Sequence, residues 1–432
     1  MKALILAGGK GTRLKEVTGD LPKPLVPFGE RSLIEHQIAL CVRHGIWDIH
    51  LLTGYGSDLF RDRLGSGGQL GARLQHHAET IPLGTAGSVK AVEAMVGTGP
   101  FLLLYGDVFI DMDLERLIDH HLRLGGLATL VVHPNDHPQD SDLLELDGDQ
   151  IIAFHPKPHQ PDRHYFNMVN AGACVLDAAI NRYIEPGLSS DFGRDIFPRC
   201  LAHGEKLIAY NTPEYLKDIG TPTRYRKVLS DYLSGRCARL RLDRPRRCVF
   251  LDRDGTINTY TPFLHDPADF ALLPAVAEAI KLLNEHDWLC VVTTNQPQLA
   301  RGELTSAGLA DIHRKMEHLL SLGHAKLDAT YYCPHHPDSG FPGEVAALKI
   351  DCTCRKPKPG MFLTAAQRFN VDLAGSYVVG DTTLDVAAAK AIGARSILVQ
   401  TGLAGNDEKY VVKPDFTCTD LLAAAHHIIS RQ

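Results

Sequence analysis

Twice along this chain a short apolar strand breaks into a loop of small and charged residues. Lys2–Ala7 runs into Gly8-Gly9-Lys10-Gly11-Thr12-Arg13, and Cys248–Leu251 runs into Asp252-Arg253-Asp254-Gly255-Thr256. An α/β domain opens this way, with a buried strand whose carboxyl end delivers a functional loop. Two such openings in 432 residues predict two domains. Between them, 235–247 carries six arginines and one proline with no sustained apolar period, which reads as a linker. The expected division is 1–235, a linker at 236–246, and 247–432.

Strand-like and helix-like runs alternate in both halves. The first half offers strands at 49–53, 101–105, 127–132 and 169–176, and helices at 33–44, 85–95, 114–124 and 221–234. The second offers strands at 288–293, 329–332, 377–379 and 396–399, and helices at 275–286, 306–320, 360–369, 384–392 and 420–430. This alternation predicts mostly parallel sheets covered by helices.

Composition excludes several classes. A 44% hydrophobic and 22% charged chain is ordinary for a globular protein. A net charge of -6 gives no overall attraction to nucleic acid or to an anionic membrane. No apolar run approaches the ~18–20 residues that span a bilayer, and the apolar start is too short for a secretory signal. Of ten cysteines, seven are scattered and Cys333, Cys352 and Cys354 cluster. A reducing cytoplasm is expected, with no nucleic-acid or membrane partner.

In the first half, the glycine loop can bring backbone N–H groups close to phosphates, with Lys10 and Arg13 adding positive charge. Downstream come Leu21-Pro22-Lys23-Pro24-Leu25, then Pro82-Leu83-Gly84-Thr85-Ala86-Gly87 opening a helix, then Leu104-Tyr105-Gly106-Asp107. Asn170-Ala171-Gly172 and Lys217-Asp218-Ile219-Gly220 follow. In this order the set resembles the sugar-1-phosphate nucleotidyltransferase family, over about residues 1–234. The resemblance implies a Rossmann-like domain that transfers a nucleoside monophosphate from an NTP to a sugar 1-phosphate. Gly8, Gly9, Gly11 and Thr12 would line the nucleotide, with Arg13 and Lys23 on phosphates. Gly84 and Thr85 would lie near the base, Lys157 on the sugar phosphate, Asn170 on substrate, and Asp107 and Asp218 on Mg²⁺. Where the family often has Phe-x-Glu-Lys-Pro, this chain has Phe154-His155-Pro156-Lys157-Pro158. Ser190-Asp191-Phe192 and Tyr215–Pro222 look most like heptose- and mannose-1-phosphate guanylyltransferases, which favours GTP.

In the second half, Asp252 and Asp254 are two apart on an extended segment and point the same way. Paired carboxylates beside Mg²⁺ suit a covalent aspartyl-phosphate mechanism. Thr294-Asn295 ends an apolar strand, Lys356-Pro357-Lys358-Pro359 precedes a helix, and Gly380-Asp381 ends another strand, with Asp385 beyond. The set resembles the haloacid-dehalogenase superfamily of phosphohydrolases. That implies Asp252 as nucleophile, Asp254 as general acid/base, Thr294 and Lys356 on the phosphoryl group, Asn295 on substrate, and Asp381 completing an Mg²⁺ site with Asp252 and the Asp254 backbone carbonyl.

Cys333, His335, Cys352 and Cys354 offer three thiolates and an imidazole, a closed tetrahedral set for a structural Zn²⁺. Spacing does not choose between His335 and His336. Within the superfamily, Cys-x-His … Cys-x-Cys-Arg-Lys-Pro resembles the D-glycero-D-manno-heptose 1,7-bisphosphate 7-phosphatases, with the histidinol-phosphate phosphatases as near relatives. Arg355 would then meet the second phosphate or the sugar. Tyr260-Thr261-Pro262-Phe263, and Pro297-Gln298 after Thr294-Asn295-Gln296, depart from the family pattern in loops that would touch substrate.

The two resemblances are complementary, because one reaction would make the heptose 1-phosphate that the other consumes. The resulting expectation is a bifunctional α/β enzyme of GDP-heptose synthesis. It pairs a Rossmann-like nucleotidyltransferase domain with a HAD-like Rossmannoid phosphatase domain carrying a zinc-stapled loop. The alternatives are a hexose-1-phosphate nucleotidyltransferase fused to another sugar phosphatase, and a nucleotide-sugar-binding scaffold with degraded catalysis. The oligomeric state is left open, a homo-oligomer included.

Overall fold

The computed structural model describes residues 1–9 and 12–431. The chain forms two compact units. One is built from Met1–His133, Leu144–Pro156 and Val169–Leu242, the other from Pro134–Leu143, Lys157–Met168 and the chain from Asp243 onward.

The first unit is organised on a nine-stranded sheet. Lys2–Ala7 lies between Asp48–Thr53 and Phe101–Tyr105, parallel to both. Val169–Leu176 runs antiparallel beside Phe101–Tyr105. Lys2–Ala7 is buried along nearly its whole length, as a parallel strand covered on both faces must be. Helix Leu33–Arg43 begins in a capping box between Ser32 and Glu35. A two-stranded ribbon, Val108–Asp111 against Tyr215–Asp218, lies outside the main sheet. Its register puts Asp218 opposite Val108, and the Ile219 amide donates to the Asp107 carbonyl at 3.1 Å. Two loops far apart in sequence thus present Asp107 and Asp218 side by side.

The second unit carries a six-stranded sheet in which every pairing is parallel. Cys248–Leu251 is central, flanked by Leu289–Asn295 and Tyr377–Gly380. One core lies against helices Val276–Glu285, Ser306–Leu322 and Leu421–Ile429, and another against Gly360–Phe369 and Thr383–Ala391. Among the described residues no helix is long and apolar enough to cross a membrane.

The arginine-rich stretch is partly structured. Arg236–Arg239 forms a helical turn with Cys237 buried, and Arg241 Nε donates to Asp111 at 2.8 Å. Leu242 is anchored by Glu214, whose Oε1 accepts from the amides of Leu242 and Asp113, both at 2.9 Å. The Thr212 hydroxyl donates to Oε2 at 2.9 Å. Burial raises the Glu214 carboxyl to about 7, against the pull of those donors. A raised folded-state value means that its stabilising contribution is complete below its unfolded value and is lost as pH rises through 7. Glu214→Gln keeps the acceptor without the titration. Between pH 5 and 8 the wild type is expected to lose about 2 kcal/mol more than the variant in urea unfolding of this unit. Parallel losses in the two proteins would refute the assignment.

Candidate active sites

In the first unit a cavity of about 470 Å³ opens at the carboxyl ends of Lys2–Ala7 and Phe101–Tyr105. Its walls include Gly8, Gly9, Arg13, Lys23, Gly84, Thr85 and Asp107, all named from sequence, and also Glu79, Ser88 and Tyr105. Gly11 and the side chain of Thr12 lie outside the described residues. Lys23 is buried in a 3₁₀ turn between Pro22 and Pro24, and its Nζ is 2.9 Å from Asp107 Oδ2. Arg224 Nη1 donates to both oxygens of Asp218, at 3.1 and 2.9 Å, and the Gly220 amide donates to Oδ1 at 2.9 Å. Burial alone would raise the Asp218 carboxyl; the Gly220 amide, Arg224 and Lys23 outweigh it and hold the carboxyl below its usual range. Around Gly220, the place of a Cβ lies 2.7 Å from Asp218 Oδ1, 3.7 Å from Lys23 Nζ and 3.8 Å from Arg13 Nη2. Two cations and a carboxylate therefore converge at one point on the cavity rim.

Gly84 sits at φ +73°, where a Cβ would run into the Ser190 carbonyl. The next residue, Thr85, uses its hydroxyl to donate to Asp191 Oδ2 at 2.7 Å and to accept from the Phe192 amide at 2.9 Å. Ser190-Asp191-Phe192 thus braces the second glycine turn. Two expected substrate residues are not among those lining this cavity. Lys157 is absent from the cavity wall; it is grouped with the second unit, and its Nζ donates to the Asp140 carbonyl at 2.6 Å. Asn170 is also absent from the wall, and its Oδ1 accepts from the Gly172 amide at 3.3 Å.

In the second unit the acidic and basic residues meet at the carboxyl ends of the three central strands. The nearly buried Lys356 Nζ is 2.9 Å from Asp252 Oδ1 and 2.6 Å from Asp385 Oδ1. Burial would lower the Lys356 ammonium, but Asp252 and Asp385 hold it above its usual value. Burial, with Asp385 beside it, pushes Asp252 up against the pull of Lys356. Burial and Asp252 push Asp381 up to about 8. Asp381 Oδ2 accepts from the Leu403 amide at 2.7 Å, while the buried Oδ1 has no hydrogen-bond partner among the described residues. Oxygens of Asp252, Asp381 and Asp385 lie within 4.8 Å of one another. Carboxylates crowded this closely, one with an orphaned oxygen, fit a divalent cation. Gly255, at φ +82°, leaves room for Asp381, which a Cβ would strike.

Thr294 is buried and accepts from Gln296 Nε2 at 2.9 Å. Asn295, expected on substrate, clasps the Lys356 backbone. Its Oδ1 accepts from the Lys356 amide at 3.0 Å, and its Nδ2 donates to the Lys356 carbonyl at 3.2 Å. Asp254 is held by Arg253, Asn258 and Gln296. Burial would raise its carboxyl, and these partners pull it below the usual range. Sequence assigned Arg253 no role of its own.

The cysteine cluster forms beside this site. Sγ of Cys354 is 3.3 Å from that of Cys333 and 3.2 Å from that of Cys352, and His335 Nδ1 is 3.3 Å from Cys354 Sγ. All three thiols are free. Four soft donors within 4.8 Å of one another fit a tetrahedral zinc ion. His336 turns aside, its Nδ1 accepting from the Asp338 amide at 3.2 Å, so the geometry selects His335. Arg355 Nη1 donates to the His335 carbonyl at 3.2 Å. Nearby, Arg301 stands over Phe263 and Phe341, at 5.0 and 4.6 Å, and Lys349 over Phe341 at 4.7 Å. Local pattern gave no reason to single out Arg301 or Lys349.

Residues 2–235 match the nucleotidyl transferase family model, and residues 353–424 match a HAD-hydrolase-like model. Over 189 residues, 42% of this chain and 98% of the relative, the chain is 39% identical to a D-glycero-beta-D-manno-heptose-1,7-bisphosphate 7-phosphatase of Bordetella bronchiseptica. Over 240 residues, 55% of this chain and 64% of the relative, it is 34% identical to a mannose-1-phosphate guanyltransferase of Pichia angusta. Among solved structures, HddC from Yersinia pseudotuberculosis complexed with GMP-PN aligns at 25% identity with a TM-score of 0.47, covering 54% of this chain and 99% of that one.

Proposed function

We propose, for a chain that belongs to the nucleotidyl transferase family through residues 2–235 and to the heptose-bisphosphate phosphatase family through its second half, that its two sites catalyse consecutive steps. The second unit removes the 7-phosphate of D-glycero-D-manno-heptose 1,7-bisphosphate. The first transfers GMP from GTP to the heptose 1-phosphate, giving GDP-heptose and pyrophosphate. The observation that carries this reading is that Asp252, Asp381 and Lys356 meet in one unit while Arg13, Lys23, Asp107 and Asp218 meet in the other.

In the phosphatase, Asp252 attacks the 7-phosphorus, Asp254 takes up the proton carried by the substrate's phosphate monoanion, and the sugar oxygen leaves with that proton. Asp254 then takes a proton from the water that hydrolyses the aspartyl phosphate. Lys356 and Thr294 face the transferring group and offset its charge. Mg²⁺ held by Asp252, Asp381 and the Asp254 backbone would keep the carboxylates ionised and shield the phosphoryl oxygens. In the nucleotidyltransferase the substrate phosphate is itself the nucleophile at the α-phosphorus. Arg13, Lys23 and the amides of Gly8 and Gly9 bring two anions into line. Asp107 and Asp218 would hold Mg²⁺, which would supply positive charge to offset that of the leaving pyrophosphate.

Zn²⁺ on Cys333, His335, Cys352 and Cys354 would pin the loop before Arg355 and Lys356. As-purified protein is expected to hold about one zinc per chain. Cys354→Ala should lower phosphatase kcat/KM by ~10-fold or more and leave pyrophosphate release unchanged. A zinc-free wild type with full phosphatase activity would count against the staple.

The mannose-1-phosphate guanyltransferase relative supports a second reading, in which the first unit prefers a hexose 1-phosphate. Pyrophosphate release is to be compared for heptose 1-phosphate and mannose 1-phosphate with each NTP, supplying both anomers. Preference for heptose and GTP supports the first reading. Exclusive use of mannose 1-phosphate would replace it.

A further inference from the structure

Arg253 sits between the two aspartates with no exposed area. Its Nη2 donates to both oxygens of Asp254, at 2.9 and 2.8 Å, and to Gln296 Oε1 at 3.1 Å; Nε reaches Asp254 Oδ1 at 3.2 Å. The other arm, Nη1, lies 3.3 Å from His313 Nε2. A guanidinium only donates, so Nε2 is the acceptor and the proton of a neutral ring is on Nδ1. His313 projects from helix Ser306–Leu322, is 4% exposed, and is pushed down to about 3 by burial and by Arg253. It is a neutral acceptor. A buried cation needs every donor met, and an apolar side chain at 313 would leave one arm unpaired.

We propose that His313 and Arg253 are positioning residues for acid–base catalysis at Asp254: His313 fixes one arm of the guanidinium, and the other arm aims the carboxylate at the leaving oxygen. Gln296 completes the frame, because its Nε2 donates to Asp254 Oδ2 at 3.0 Å and to Thr294 Oγ1 at 2.9 Å. The frame thus ties the proton donor to a residue facing the phosphoryl group. This rests on Asp254 being the general acid.

The test separates aim from folding through the leaving group. Departure of the sugar alkoxide breaks the P–O bond and needs the Asp254 proton, whereas p-nitrophenolate departs without one. kcat/KM reports this first transfer for both substrates. His313→Leu should lower kcat/KM ~10–100-fold on the heptose bisphosphate and less than ~3-fold on p-nitrophenyl phosphate. His313→Gln, which retains an acceptor, should recover most of the loss. If His313→Leu does not fold, Arg253→Lys, which keeps the charge and loses the fork, should show the same selectivity. Equal losses on both substrates, no loss, or no rescue by Gln would overturn the proposal. Asp254→Asn tells the two failures apart. If it shows the alkyl-selective loss and His313→Leu does not, the positioning role falls and the acid stands. If Asp254→Asn shows none, the acid assignment itself falls and takes the proposal with it.

Discussion

Asp252→Asn is expected to abolish phosphate release from the heptose bisphosphate and to leave pyrophosphate release from GTP and heptose 1-phosphate at the wild-type rate. The first half of that result follows from the role of the carboxylate. The amide is a poor nucleophile and cannot replace the carboxylate in attacking phosphorus. Removing a nucleophile costs at least ~10⁴ in rate. The second half follows from the division of labour, since no residue of the first site lies in the second sheet. Lys356 would keep Asp385 as a partner at 2.6 Å, so the variant is expected to fold. Phosphate and pyrophosphate assays on the same preparation check both halves. Residual phosphatase activity above ~1% would point to another nucleophile.

The mirror result is expected for Lys23→Met. This variant removes the buried ammonium 2.9 Å from Asp107 and beside Arg13 on the cavity rim. Two anions must be brought together before the α-phosphorus is attacked, so losing one cation should lower pyrophosphate release ~10²–10³-fold. Phosphate release should be unchanged. Lys23→Arg is expected to recover only part of the rate, because a planar fork does not replace a point charge between Pro22 and Pro24. A loss confined to KM would reassign Lys23 to ground-state binding.

Much of both sites was legible in the sequence for a physical reason. In parallel sheets the chemistry lies at the carboxyl ends of apolar strands, so Asp107, Asp252, Thr294 and Asp381 each follow a recognisable strand. What was not legible depends on contacts across long separations. His313 reads locally as one more helix residue, and its use as an acceptor for Arg253 exists only after folding. Asn295 and Lys157 look like substrate residues by motif, yet one clasps the Lys356 backbone and the other the Asp140 carbonyl. The choice of His335 over His336 also needed three dimensions. Arg73–Ala78, with its two histidines, lacks an apolar run but pairs in parallel with Asp48–Thr53 at the sheet edge, where neighbours override propensity. Arginines at 236–246 suggested an open linker, but Cys237 and Leu242 are buried and Glu214 holds the latter's amide.

The central claim is that one chain performs both reactions in sequence. Wild-type protein supplied with the 1,7-bisphosphate and each NTP in turn, with phosphate and pyrophosphate followed separately, tests it most directly. The account predicts phosphate release with any NTP or none. With GTP, pyrophosphate follows after a lag and GDP-heptose accumulates. Turnover of histidinol phosphate with none of the heptose bisphosphate, or phosphate release without pyrophosphate under any NTP, would contradict it.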